Sequence, residues 1–248
     1  MKYGYDAALL DRPIRFGPGF KRPSAKAKRQ ARHSQVRTMT AAEILACLDE
    51  ANVTAQAWIL LGINAGYGQS DLAELRHRHL DLGRGVVAFP RPKTGIMRRC
   101  TLWPESITAM RLAMAKRPQA NDPTDDDRCF LTTHGWPVVR VVEREVEDRK
   151  APGGKRLTIT PMDAVAQQFN RLLVKTGAKR AGQGFYQLRR TFETVAGETG
   201  DQPAVDRIMG HTDESMAGQY REWRANTRED ERLRRVTDHV REWLYQET

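Results

Sequence analysis

A mostly helical fold with a small antiparallel β-sheet (α+β) is predicted by three observations. Helix-start signals stand directly before apolar runs, as in Thr40-Ala41-Ala42-Glu43 ahead of Ile44, Leu45 and Leu48. Apolar residues recur at helical spacing late in the chain, at Leu233, Val236, Val240, Trp243 and Leu244. The clearest β signal is short: Val86-Val87-Ala88-Phe89, a Thr94-Gly95 turn, and a returning strand from Arg99 to Leu102.

The elements follow in order. Residues 1–20 hold a short helix at Tyr5–Leu10, then Phe16-Gly17-Pro18-Gly19-Phe20. Lys21 to Arg37 carries Lys21, Arg22, Lys26, Lys28, Arg29, Arg32 and Arg37 with no acidic residue, which suits a flexible strap along a phosphate backbone. The folded domain opens at Thr40. Val53–Asn64 is apolar enough for a buried helix, and Gly66-Tyr67-Gly68-Gln69-Ser70 breaks it. Ser70 is the expected cap of a short helix through Leu75. After the hairpin, Pro104 starts an amphipathic helix with Ile107, Met110 and Met114 on one face. Cys129–Leu131 and Val138–Val142 read as a further hairpin around His134-Gly135, and charged Glu143–Lys155 as an exposed loop. Helices are expected near 161–175, 186–198, 203–209, 213–221 and 227–245.

Composition narrows the partners. The 248 residues are 40% hydrophobic, enough for one domain with its own core and a short appendage. A net charge of +10 favours a polyanionic partner, although a basic protein with no nucleic-acid role has the same charge. Cys47, Cys100 and Cys129 form neither a CxxC pair nor an even disulfide framework, which points to a reducing cytoplasm and no metal. Asp6, Asp11 and Arg12 break any signal-peptide core, and no apolar run is long enough for a membrane helix.

The residues that carry chemistry lie between Tyr186 and Tyr220. Tyr186-Gln187-Leu188-Arg189 is followed by Met209-Gly210-His211 and then by Tyr220. An arginine can neutralise a phosphate with a planar fork of donors, a histidine can donate to a non-bridging oxygen, and a phenol can attack phosphorus. Gly210 would end its helix in a left-handed conformation and aim His211 outward. Each residue also has an ordinary reading: a surface arginine beside Arg190, a histidine after a helix cap, an amphipathic tyrosine.

In this order the motifs resemble the catalytic domain of the tyrosine recombinases, the phage integrase family, over about residues 38–247. They are Asn64-Ala65-Gly66-Tyr67-Gly68-Gln69-Ser70-Asp71-Leu72, Pro92-Lys93-Thr94-Gly95, Tyr186-Gln187-Leu188-Arg189-Arg190-Thr191-Phe192, Met209-Gly210-His211 and Tyr220. The resemblance implies a tyrosine recombinase catalytic-domain-like fold. It implies Tyr220 as nucleophile, Arg189 and His211 on the phosphate, Lys93 as general acid to the departing 5′-oxygen, and Asp71 as orienter of neighbouring donors. It also implies residues 1–37 as the remnant of an N-terminal DNA-binding domain with its basic linker, and 38–248 as the catalytic domain.

Two positions depart from the pattern. The family's first phosphate-binding arginine falls at Gly68, which has no side chain, and its histidine before the second arginine is Tyr186. A phenol donates a hydrogen bond but is not a base at neutral pH. Gln69, Arg76, Arg91 and Arg98 are the candidate substitute donors. The expected function is site-specific DNA recombination through a 3′-phosphotyrosyl intermediate, with no cofactor; the alternative is a catalytically impaired DNA-binding accessory relative. A ribosome-associated basic protein would explain the charge but not the spacing. The expected DNA contacts are Lys21, Arg22, Lys26, Lys28, Arg29, Arg98, Arg99 and Arg190. The expected partners are double-stranded DNA and further copies of the chain, joined on DNA through the C-terminal helix.

Overall fold

The computed structural model describes residues 38–147, 155–211 and 227–246, together with Ser24. The chain divides into two compact units, Met1–Val36 and Arg37–Thr248. Every described helix and strand belongs to the second. The expected helix at Tyr5–Leu10, the strap Lys21–Arg37 with Lys21, Arg22, Lys26, Lys28 and Arg29, and the expected helix at 213–221 with Tyr220 lie outside the described residues.

Helix α1 (Ala41–Asp49) starts on the expected capping box. Glu43 N–H donates to Thr40 Oγ1 at 3.2 Å, and Thr40 N–H donates to the Glu43 carboxylate at 3.0 Å. Two orphan donors of the first turn are satisfied this way. Helix α2 (Val53–Asn64) is capped by Asn52 and buried along most of its length. A side chain at Gly62 would come within 2.8 Å of Leu188, so this glycine lets α2 approach the later helix that carries Arg189. At the end of α2, Asn64 Oδ1 accepts from Trp103 N–H and Ser106 Oγ, each at 2.9 Å, while Nδ2 donates to Thr101 O at 3.1 Å. A buried amide satisfied on both ends fixes the helix against the sheet.

Helix α3 (Gln69–Glu74) follows. Its cap position is Gly68 and not Ser70: Asp71, at the third helical position, reaches back to accept from Gly68 N–H at 2.7 Å. A carboxylate there serves the exposed donors of the first turn and the helix dipole better than a hydroxyl would. Strands β1 (Leu80–Asp81), β2 (Val86–Pro90) and β3 (Met97–Thr101) form an antiparallel sheet in that order, with Phe89 opposite Arg98 and Val87 opposite Cys100. Pro104 opens helix α4 (Pro104–Ala115) as expected.

The next segment corrects the sequence reading. Residues 143–147 are not a loop. They belong to β4 (Val139–Glu147), which pairs along its length with β5 (Lys155–Asp163), from Val139 opposite Asp163 to Glu147 opposite Lys155. Cys129–Leu131 makes no strand with Val138–Val142; an isolated bridge joins Leu131 to Pro137. The two-stranded ribbon has apolar Val141 and Ile159 exposed at 63% and 64%, so it lacks the one-sided burial that makes alternation visible in a sequence. Pro161 pairs with Val141, and helix α5 (Ala164–Lys175) therefore starts three residues later than expected, capped by Asp163.

Helix α6 (Tyr186–Gly197) packs on α2, and α7 (Gln202–Met209) ends at Gly210 with φ 66° and ψ 45°. The last helix, α8 (Thr227–Gln246), lies against α1, α2, α6, α7 and β3. Leu233, Val236, Val240 and Leu244 are buried in this domain's core. Each such side chain is worth about 1.5–3 kcal/mol when fully buried. Polar bolts add direction: Trp103 Nε1 donates to Thr237 O at 2.8 Å, and Thr101 and Thr237 hydroxyls meet at 2.9 Å. The apolar stripe expected to join copies of the chain is therefore covered by its own domain. All three cysteines are buried and unbridged, and no described helix is long and apolar enough to cross a membrane.

Candidate active site

The candidate site forms where the α2–α3 break, β3, α6 and the α7 end meet. Arg189, on the buried face of α6, is 2% exposed. Its Nη1 donates to Gly66 O at 2.5 Å, and its Nη2 donates to Met209 O at 2.8 Å. Nη2 also lies 3.0 Å from His211 Nε2. The guanidinium thus ties the glycine-rich break to the turn after α7. Burial, and then nearby Arg91, lower its pKa, but a guanidinium remains charged throughout the ordinary pH range.

His211 follows the left-handed Gly210 as the sequence predicts. Arg189 has no acceptor, so Nε2 must present its lone pair, which assigns the ring proton to Nδ1. Nδ1 lies 3.5 Å from Asp206 and 3.9 Å from Glu193. Burial, then the charges of Arg189 and Arg91, push the His211 pKa below its usual value. The imidazole is neutral at neutral pH. Sequence reasoning misses Glu193 and Asp206; the signal for Glu193 is its place one helical turn after Arg189.

Asp71 is 7% exposed and uses its two oxygens differently. Oδ2 accepts from Gly68 N–H, and Oδ1 lies 3.0 Å from Arg98 Nη2. Arg98 is 1% exposed. Its guanidinium carbon sits 4.5 Å from the Tyr67 ring centroid and 4.4 Å from that of Phe89, close enough for cation–π attraction to both. Among the described residues, none offers an aligned acceptor to its Nε, Nη1 or Nη2, so the contact with Asp71 is an ion pair without hydrogen-bond geometry. The Arg98 stem runs under the turn after α7: a side chain at Gly210 would come within 2.7 Å of Arg98 Cγ and Cδ. Arg91 Nη1 donates to Gly210 O at 3.3 Å. Three arginines, Arg91, Arg98 and Arg189, therefore converge on residues 209–210.

Gly68 is open. A Cβ there would meet Asp71 at 3.6 Å and the Tyr186 ring at 3.8 Å, both ordinary contacts. Tyr186 is 44% exposed, and the Arg190 guanidinium lies 5.3 Å from its ring centroid. Asp71, Tyr186, Arg189 and His211 are thus gathered around one corner, with Arg190 at its edge. Lys93 lies in the exposed β2–β3 turn, which is closed by Gly95 N–H donating to Arg91 O at 2.8 Å. No described contact joins Lys93 to the other site residues. Tyr220 lies outside the described residues.

Arg99 requires a correction. The sequence reading places it on the DNA-binding face beside Arg98, yet it is 9% exposed and faces the other way. Its Nε and Nη2 donate to Asp230 at 2.6 and 2.9 Å. Adjacent strand residues point to opposite faces, so Arg99 bolts α8 to the sheet. Arg98 does not lie on an exposed face either: its side chain is buried beside Asp71.

The fold is a small sheet among helices, and its corner holds an arginine–histidine pair across a helix end. The chain belongs to the phage integrase family, whose profile matches residues 32–227. Its structure is similar to the integrase from mycobacterium phage Brujita, with a TM-score of 0.55 and 16% identity, covering 94% of this chain and 62% of the other. It is also similar to XerA recombinase, with a TM-score of 0.53 and 15% identity, covering 85% and 64%. A third similar structure is residues 82–397 of the Tn1549 transposon integrase in complex with circular intermediate DNA, with a TM-score of 0.51, 18% identity and coverage of 81% and 67%. The chain spans less than two thirds of the length of the first two. No curated protein matches it.

Proposed function

We propose that this protein binds double-stranded DNA and exchanges DNA strands by site-specific recombination, through a tyrosine nucleophile at a modified site. The observation that carries this reading is the pairing of Arg189 with His211 across the turn after α7, with Asp71 and the glycine-rich break beside it. A cationic fork beside an imidazole suits a phosphodiester: a phosphate oxygen can replace the imidazole on Arg189, and His211, with its proton moved from Nδ1 to Nε2, then donates to that phosphate. In this reading the Tyr220 phenol gives up its proton to solvent as its oxygen bonds to phosphorus, and the P–O5′ bond breaks. The proton needed by the leaving oxygen comes from Lys93, in the exposed turn beside Arg91. The 3′-phosphotyrosyl bond keeps the energy for rejoining, so no cofactor is consumed. Residues 38–248 act as the catalytic domain, and residues 1–37 supply a basic strap on the phosphate backbone.

The departure of Gly68 and Tyr186 from the family pattern favours a second reading, an accessory relative that binds DNA without cutting it. A nicked suicide duplex separates the two. Covalent adducts on a denaturing gel, lost in Tyr220→Phe while duplex binding persists, are the result expected of a recombinase. A protein that binds duplex but never forms an adduct is the accessory. The stripe of α8 is occupied by its own core, so withdrawing that helix to a neighbour would expose Leu233, Val236, Val240 and Leu244. Joining copies through α8 on DNA therefore requires this helix to leave its own core for the equivalent place on a neighbour.

A further inference from the structure

We infer that Arg98 is the second phosphate-binding guanidinium of this site, supplied from strand β3 in place of a side chain at Gly68. The inference rests on the DNA reading above and deepens it. Three observations carry it. First, Arg98 and Gly68 share one carboxylate: Asp71 Oδ2 holds the Gly68 N–H at 2.7 Å, and Oδ1 faces Arg98 at 3.0 Å. A cation delivered by β3 therefore reaches the same acidic group that an arginine at 68 would flank.

Second, Arg98 is buried with Nε, Nη1 and Nη2 all lacking an aligned acceptor. Buried donors without acceptors are costly and rare, and they are tolerated where a partner arrives later. A phosphate oxygen is such a partner; because the side chain has no exposed surface in this structure, it is reached only when the 209–210 turn above it moves, and the Tyr67 and Phe89 rings hold the guanidinium without consuming its N–H groups. Third, the room for Arg98 is made by the turn that carries His211. Gly210 has no Cβ, and one would come within 2.7 Å of the Arg98 stem. The same turn accepts from Arg189 through Met209 O. Arg98 and Arg189 thus both pack against one backbone turn. The Gly210 that presents His211 also admits Arg98.

The test is the salt dependence of duplex binding by the full chain. Each phosphate contact contributes about 0.9 to the slope of log K against log salt. Arg98→Met should lower the slope by about 1 and weaken binding about eightfold at 0.1 M salt, as that slope implies. Adding Gly68→Arg to Arg98→Met should restore both, because a Cβ at 68 meets only ordinary contacts beside the shared Asp71. Gly68→Arg in the otherwise unchanged protein should leave the slope within about half a unit, since the role is filled. Thermal melting accompanies each variant. An Arg98→Met protein that folds, melts lower and keeps the full slope would show a purely structural role and overturn the inference. Should Arg98→Met fail to fold, Gly68→Arg alone decides: a slope steeper by about 1 means that the role was empty. An unchanged protein whose duplex binding ignores salt would instead remove the DNA reading itself.

Discussion

Arg98 and Arg99 are consecutive on β3, and each faces a buried aspartate, yet the two pairs are built differently. Arg99 donates to both oxygens of Asp230, at 2.6 and 2.9 Å, and Arg84 adds a third donor at 3.2 Å. That pair is saturated and directional. Arg98 lies 3.0 Å from Asp71 but aligns no N–H with it. One side of the strand is a finished joint that holds α8; the other keeps its donors unspent beside the Arg189–His211 pair. Two identical side chains on one strand are divided by the pleat, into one that fastens α8 and one that lies beside Asp71 and the 209–210 turn.

The comparison can be broken most sharply at the finished joint. Asp230→Ala leaves Arg99 buried without its partner, and removing one member of a buried pair costs about 3–5 kcal/mol. A large drop in melting temperature is expected, with the salt slope of duplex binding unchanged among molecules still folded. A weakened salt slope would mean that Arg99 too serves DNA, and the contrast between the two faces would collapse.

On the chemical side, Arg189→Ala removes the fork that joins Gly66 O, Met209 O and His211. By analogy with deleting one oxyanion donor, the rate of covalent adduct formation should fall by about 10²–10³, or about 2.7–4 kcal/mol in the barrier. Single-turnover assays on the nicked duplex measure it. Equal rates for the two proteins would detach Arg189 from the reaction.

A smaller effect links the two arginine environments. Gly210→Ala forces a left-handed residue with a side chain, at about 1–2 kcal/mol, and its methyl strikes the Arg98 stem. Chemical denaturation should show that loss or more, and duplex binding should weaken with it as Arg98 moves. Binding that stays intact while stability falls would separate Arg98 from the turn.

The smallest expected effect is a pH dependence. The pKa of His211 is lowered by burial, then by Arg189 and Arg91; those of His77 and His79 are lowered first by burial as well. A lowered folded-state value means that the unfolded chain binds more protons in the window from its ordinary value, about 6.5, downward. Stability should therefore rise with pH through that window and be lost as the pH falls through it. His211→Gln should flatten the pH dependence of the melting temperature between about pH 5 and 7. An unaltered curve would show that His211 is as easily protonated in the fold as outside it.

Much of the fold is legible in the sequence. The capping box at Thr40, the buried α2, the hairpin around Thr94-Gly95, Pro104 at a helix start and Gly210 at a helix end all rest on local rules, and each stands where those rules put it. The ribbon of β4 and β5 is not legible. Its strands are exposed and charged, and their stability comes from pairing with each other, which a one-dimensional pattern does not record. Ser70 has the residue type of a cap, but Asp71 competes from the third position and wins.

For the site, the sequence by itself determined the residue types and their order: an arginine and a histidine set by helix ends, an acid after the glycine-rich break, and a glycine where the family has its first arginine. Local chemistry and spacing suffice for that, because caps, turns and helix faces are decided within a few residues. Only the tertiary structure decided which of Arg98 and Arg99 faces the Arg189–His211 corner. The strand's register against β2 and the packing of α8 on its other side settle it, and both depend on contacts with residues far along the chain. A one-residue shift of β3 would exchange the two arginines.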